Sequence, residues 1–108
     1  MEKTDYIVVF ITTGNGEEAG RIAGLLLEKR LAACVNIVPA VESRFWWQGN
    51  LDSSTERLLI VKTRRSLLPA IVELVKGIHS YEVPEVIALP IIGGNEDYLK
   101  WIQDEVED

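Results

Sequence analysis

The sequence predicts an α+β fold of ferredoxin-like type, a βαββαβ sandwich with an extra C-terminal helix. Three observations predict it. Four runs are rich in β-branched and aromatic residues. Two stretches between them repeat apolar residues at helical spacing. The order of the two kinds is that of two βαβ halves. The first run, Tyr6 to Thr13, is apolar on both faces and reads as an interior strand. Gly14 ends it. Asn15 can cap the next helix, with Glu18 three residues on as the second half of a capping box. Ala19, Ile22, Ala23, Leu26 and Leu27 then form one stripe, and Lys29 and Arg30 place cations at the helix C-terminus. Leu31 to Trp47 is a second extended stretch, longer than an average strand, in which Pro39 predicts a bulge or an edge position. Gln48-Gly49-Asn50 supplies a turn, and Leu58 to Val61 a buried third strand. Ser66 is positioned to cap a second helix with its stripe at Leu67, Ile71, Leu74, Val75 and Ile78; Pro69 falls in its first turn, where a missing N–H is tolerated. Val86 to Leu89 is the fourth strand. Asn95 caps a last helix carrying Tyr98, Ile102 and Val106 on one side. Right-handed crossovers order the strands four, one, three, two.

Composition narrows the function classes. Of 108 residues, 47% are hydrophobic and 26% charged, which suits one core, and no linker or low-complexity segment divides the chain. Residues 1–108 are therefore read as a single domain. The net charge of −6 argues against a nucleic-acid partner. No apolar run approaches the roughly 20 residues of a membrane helix. The N-terminus shows no signal-peptide pattern. Cys34 is the only cysteine, so an intrachain disulfide is impossible and a reducing compartment is expected, giving a cytoplasmic assignment.

The same pattern predicts self-association. Helices cover one face of such a sheet, yet the first strand is apolar on both. The second stretch ends in Phe45-Trp46-Trp47, which a two-residue period cannot bury on one side. An apolar patch of this kind on an acidic domain marks a subunit interface. The alternative is that the last helix folds back over the open face, for which it is short.

Five segments then carry a resemblance. Leu31-Ala32-Ala33-Cys34-Val35-Asn36-Ile37, Phe45-Trp46-Trp47-Gln48-Gly49, Lys62-Thr63, His79-Ser80-Tyr81-Glu82-Val83-Pro84-Glu85 and Tyr98-Leu99-Lys100-Trp101-Ile102 stand in the order and spacing of the CutA family of divalent-cation tolerance proteins, which the chain resembles from Tyr6 to about Val106. The resemblance implies a homotrimer of ferredoxin-like subunits with long second and third strands paired between neighbours. It also implies a link to copper (Cu2+) and other divalent cations. Animal members of the family are associated with anchoring acetylcholinesterase at membranes. The chain departs from the family at Ser80, where a proline usually follows the histidine. Loss of that ring loosens the local backbone and the orientation of His79.

Cys34 and His79 are the soft thiolate and imidazole expected of a copper or zinc site. Read from the topology, both lie at the same end of the sheet but on opposite edges, about 14 Å apart at strand spacings of roughly 4.8 Å. Metal bonds of about 2.0–2.3 Å do not span that gap. An inter-subunit site is expected, with Cys34 from one chain, His79 from another, and Glu82, Glu85 or water completing it. The structural alternatives are a small core cysteine, a histidine bonding the last helix carbonyls, and tryptophans that pack an interface. A second expectation is a ligand cleft for a small anion: Lys62, Arg64 and Arg65 sit where the third strand enters its helix. Trp47 and Tyr81 complete that cleft, by analogy with the PII signalling proteins, similar trimers that bind nucleotides between subunits. Solvated arginines are its structural alternative. No organic cofactor is expected. An enzyme has the least support, with one histidine and no nucleophile elbow.

Overall fold

The computed structural model describes residues 5–107. Its elements are β1 (Tyr6–Thr13), α1 (Gly16–Glu28), β2 (Cys34–Trp47), β3 (Asn50–Arg64), a 3-10 turn (Arg65–Leu67), α2 (Leu68–Ile78), β4 (Val86–Pro90) and α3 (Glu96–Glu105). The sheet runs β2-β3-β1-β4 with every neighbouring pair antiparallel, the spatial order read from the sequence.

Alternation divides each strand between two faces. Ile7, Val9 and Ile11 of β1 and Leu59 and Val61 of β3 point toward α1 and α2, where they meet Ile22, Leu26, Ile71 and Val75 in the main core. Tyr6 belongs to the other face. There it packs with Leu99 and Ile102 of α3, and its hydroxyl donates to Gln103 Oε1 at 3.1 Å. Thus α3 covers the Tyr6 end of the open face, a partial version of the folding-back alternative. Ile87 and Leu89 remain exposed beyond it.

The hairpin is longer than the apolar run at Leu58 to Val61 suggests. β1 pairs with residues 57–64 of β3, whereas β2 pairs with β3 down to Asn50. Residues 50–56 therefore have a strand on one side only, and no core beneath them imposes an apolar sequence. Gln48 and Gly49 adopt φ of 51° and 81° between the paired residues Trp47 and Asn50, a two-residue turn whose twist suits a hairpin. The register shift between Val38 and Val41 falls at Pro39, as expected of a proline in an edge strand.

Three local expectations are corrected. The cap position of α2 is Leu67, without a side-chain cap bond, because the 3-10 turn takes in Ser66. Only half of the capping box at α1 forms: Asn15 accepts from the Glu18 N–H, but the Glu18 carboxylate is used elsewhere. On α3 the buried residues are Leu99 and Ile102, with Tyr98 exposed, since a stripe beginning at 99 fits the helical period as well as one beginning at 98.

Leu59 sits fully buried between β1 and the helices, so Leu59→Ala is expected to lower unfolding stability by about 2–5 kcal/mol in urea titration.

Candidate functional site

The loop after α2 is built around His79, whose side chain is 0% exposed. Its Nε2 lies 2.7 Å from the Thr12 carbonyl, and its Nδ1 accepts the Tyr81 N–H at 3.0 Å. A carbonyl only accepts and an N–H only donates, so the ring is the neutral Nε2–H tautomer with both nitrogens engaged. The acceptor belongs to β1 and not to the end of α2, so His79 ties the loop to the sheet. Ser80 adds a second tie: its N–H and Oγ reach the Glu18 carboxylate at 2.8 and 3.1 Å. A proline here would lack that donor. Ser80 thus holds the loop through two hydrogen bonds, and His79 at φ −73°, ψ 142° has an extended backbone.

These ties aim Tyr81 at the hairpin, where its hydroxyl donates to Glu56 Oε2 at 2.8 Å. Between loop and hairpin lies a groove of about 900 Å³. Its floor is the open face of the hairpin: Trp47, Phe45, Asp52, Ser54, Glu56 and, from β1, Thr12. Its rim is Tyr81, Glu82, Val83 and Glu85. Glu56 is 6% exposed. Burial pushes the Tyr81 hydroxyl up to about 12, and the bond to Glu56 adds to the rise. Glu85 is raised from its ordinary 4.5, first by partial burial, then by the Glu56 charge, with a Thr12 hydrogen bond pulling the other way.

The opposite end of the sheet is different. Cys34, half-buried, pairs with Lys62 in the β2–β3 register. Its Sγ lies 4.0 Å from Asn36 Oδ1, which also accepts from Lys62 Nζ. Tyr98 is close by, its hydroxyl raised by burial and further by Cys34. Arg64 lies over the Tyr6 ring at 5.9 Å and 3.9 Å from Asp5.

Two expectations about the site change as a result. Cys34 and His79 are at opposite ends, not the same end: Cys34 is opposite Lys62, whereas His79 bonds the carbonyl of Thr12, opposite Leu58. The reason is direction. β2 starts where β1 starts, while α2 sets out from that end and finishes at the other. The four positions read as one ligand cleft also separate, with Trp47 and Tyr81 lining the groove and Lys62 and Arg64 at the far end. Glu82 and Glu85 do share the groove with Trp47 and Tyr81. No group of three or more His, Cys, Asp or Glu side chains is placed to hold a metal ion among the described residues.

Sequence reasoning missed Glu56, Thr12 and Glu18. Glu56 had one signal: it continues the face of Leu58 and Ile60, so a charge stands where the alternation asks for an apolar group.

The fold and groove define an α+β sheet protein of ferredoxin-like type with an acidic cleft under a protruding hairpin. The chain belongs to the CutA1 divalent ion tolerance protein family, whose pattern it matches over residues 7–105. It is 53% identical over 102 residues to the chloroplastic protein CutA 1 of Oryza sativa subsp. japonica, covering 94% of this chain but only 58% of that one, little more than half of its length. The crystal structure of CutA1 from Oryza sativa superposes with a TM-score of 0.93 at 51% identity, covering 99% of each chain. The periplasmic divalent cation tolerance protein CutA from Archaeoglobus fulgidus does so with a TM-score of 0.91 at 45% identity, covering 94% of this chain and 99% of that one. These relatives overturn the cytoplasmic assignment, since one is named chloroplastic and another periplasmic.

A carboxyl raised in the folded chain binds its proton more tightly there than in the unfolded chain. Its stabilising effect is therefore complete below about the ordinary value of 4.5 and is lost as pH rises through the folded value. Glu85→Gln, which removes the charge, is expected to melt higher than the parent at pH 7, with the gap closing by pH 4. An equal gap at both pH values would contradict the electrostatic origin.

Proposed function

We propose that the protein is a homotrimer that binds divalent cations, of copper type, at its subunit boundaries, and that it works by binding and not by turnover. The observation that carries the assembly is the uncovered apolar surface: Ile87 and Leu89 on the open face, Ile37 at the edge of the helix-covered face, and Trp46 at 73% and Leu51 at 68% exposed on the hairpin. Apolar area of this extent on a chain of net charge −6 is expected to be buried against further copies. Family membership supports the link to divalent cations. Cys34 is the soft donor of the proposed site, with carboxylates such as Glu82 and Glu85 supplied by a neighbouring chain. His79 contributes by holding the loop, because coordination would cost one of its two hydrogen bonds. The same engagement supports a binding role, since a general base needs a free nitrogen. An anionic metabolite is less well matched, because the groove is acidic and Lys62 and Arg64 lie away from it.

Sedimentation equilibrium at micromolar concentration is expected to give three times the 12.1 kDa chain mass. A 12.1 kDa species would remove the shared boundary and the reading with it. Zn2+, a redox-silent stand-in for copper, is expected to bind the parent and to lose at least tenfold in affinity for Cys34→Ala. Equal affinities would exclude a thiolate site.

A further inference from the structure

His79 is the only histidine of the chain, and its side chain is 0% exposed within its own subunit. Its surroundings therefore do not depend on what covers the open face of the sheet. As the neutral Nε2–H tautomer it holds two backbone groups of opposite kind, the Thr12 carbonyl at 2.7 Å and the Tyr81 N–H at 3.0 Å. A second proton can enter only at Nδ1. There it meets the Tyr81 N–H, donor against donor, and that bond is lost. Another acceptor stands close by: Glu18 Oε1 lies 3.7 Å from Nδ1, just beyond bonding distance. The Glu18 carboxylate takes the Ser80 Oγ at Oε1 and the Ser80 N–H at Oε2, which leaves a lone pair on each oxygen.

The other ionisable groups around the ring do not compete for that proton. Tyr81, with its ring 4.7 Å away, is a neutral donor to Glu56, and its hydroxyl is pushed up to about 12, first by burial. Glu85, ahead of β4, is engaged with the Thr12 side chain. Arg57 of β3 packs on Gly16 at the start of α1. Lys76 is exposed in the last turn of α2, a helix end whose dipole favours a cation on the residue that follows. Among the described residues, Glu18 is the carboxylate presented to Nδ1.

We propose that His79 is a proton-operated latch: uptake of one proton moves Nδ1 from the Tyr81 N–H to the Glu18 carboxylate and loosens the loop of residues 79–85, while Nε2–H keeps its bond to Thr12. Tyr81 is held over β3 by its N–H and by its hydroxyl on Glu56. With the first tie gone, the second is left to a segment free to move. Glu82 and Glu85 belong to the same loop, so acid loosens both carboxylates together with Tyr81. By linkage, any neighbour or ion that holds the loop down opposes uptake of the proton. The latch stands without the metal reading and does not use Cys34.

The test is NMR on the full-length, assembled protein between about pH 8 and 5, where imidazoles titrate. The single histidine gives one Hε1 resonance, which reads protonation directly. The Tyr81 amide reads the latch, compared with the Val9 amide in the core after correction for the pH dependence of intrinsic exchange. Protection of the Tyr81 amide is expected to fall about tenfold or more relative to Val9, with the same midpoint as the Hε1 shift. In Glu18→Gln, which removes the charge that receives the proton, that midpoint is expected to move down by about one pH unit. In His79→Gln, which keeps a donor and an acceptor but does not titrate, Tyr81 protection is expected to stay flat. Should that variant not fold, the parent and Glu18→Gln decide alone. An Hε1 titration with Tyr81 protection unchanged overturns the proposal, because the ring then charges without releasing anything. Joint loss of Tyr81 and Val9 protection also overturns it, being global unfolding, and so does a histidine that stays neutral throughout. A protein that binds no zinc but shows the coupled midpoints keeps the latch and loses only the metal reading.

Discussion

A sheet has two faces, and this chain supplies enough helix for one of them and part of the other. α1 and α2 close the face of Ile7, Val9 and Ile11 into a core. α3, ten residues long, reaches only the Tyr6 end of the opposite face. That shortfall shapes the rest of the molecule. The uncovered face leaves Ile87 and Leu89 exposed, and the part of the hairpin beyond β1 has no further strand beside it among the described residues, only the loop of Tyr81 over its open face. A hairpin of 14 and 15 residues thus stands clear of an eight-residue central strand and carries its rings beyond it.

The groove is a by-product of the same geometry, made specific by a few buried bonds. Were the loop after α2 free, the open face of the hairpin would be flat. His79 fixes the loop to the Thr12 carbonyl and Ser80 fixes it to α1 through Glu18. Tyr81 is thereby carried over the face of β3 to Glu56. Three elements distant in sequence thus meet at one corner, and each contact satisfies a polar group that burial would otherwise strand. The histidine holds its loop with both ring nitrogens engaged, and that loop carries the acidic rim of the groove.

The elements of this fold were legible because each has a local cause. Asn15 caps α1 and Asn95 caps α3 through side-chain bonds that any sequence reader can anticipate. Pro39 announced the bulge, and Gln48-Gly49 the turn. Less was legible where a residue serves a distant partner. Glu18 reads as half of a capping box, yet its carboxylate crosses to Ser80, 62 positions away. Glu56 lies in a polar stretch with only its alternation with Leu58 and Ile60 to mark it, because pairing with one strand leaves little apolar signature. The placement of Cys34 and His79 at one end failed for a different reason. Residue types and element order were right, but the chain direction through α2 was not followed to its end.

That direction has a consequence for chemistry. Lys62, opposite Cys34, and Glu56, in the groove, are six residues apart on β3, about 20 Å at strand rise. Within one subunit the thiol and the acidic wall are therefore separate chemistries: one soft and beside a lysine, the other hard, wet at the rim and lined with rings. A site using both needs a second copy whose Cys34 end reaches the groove of the first, about 20 Å along the strands from that chain's own thiol.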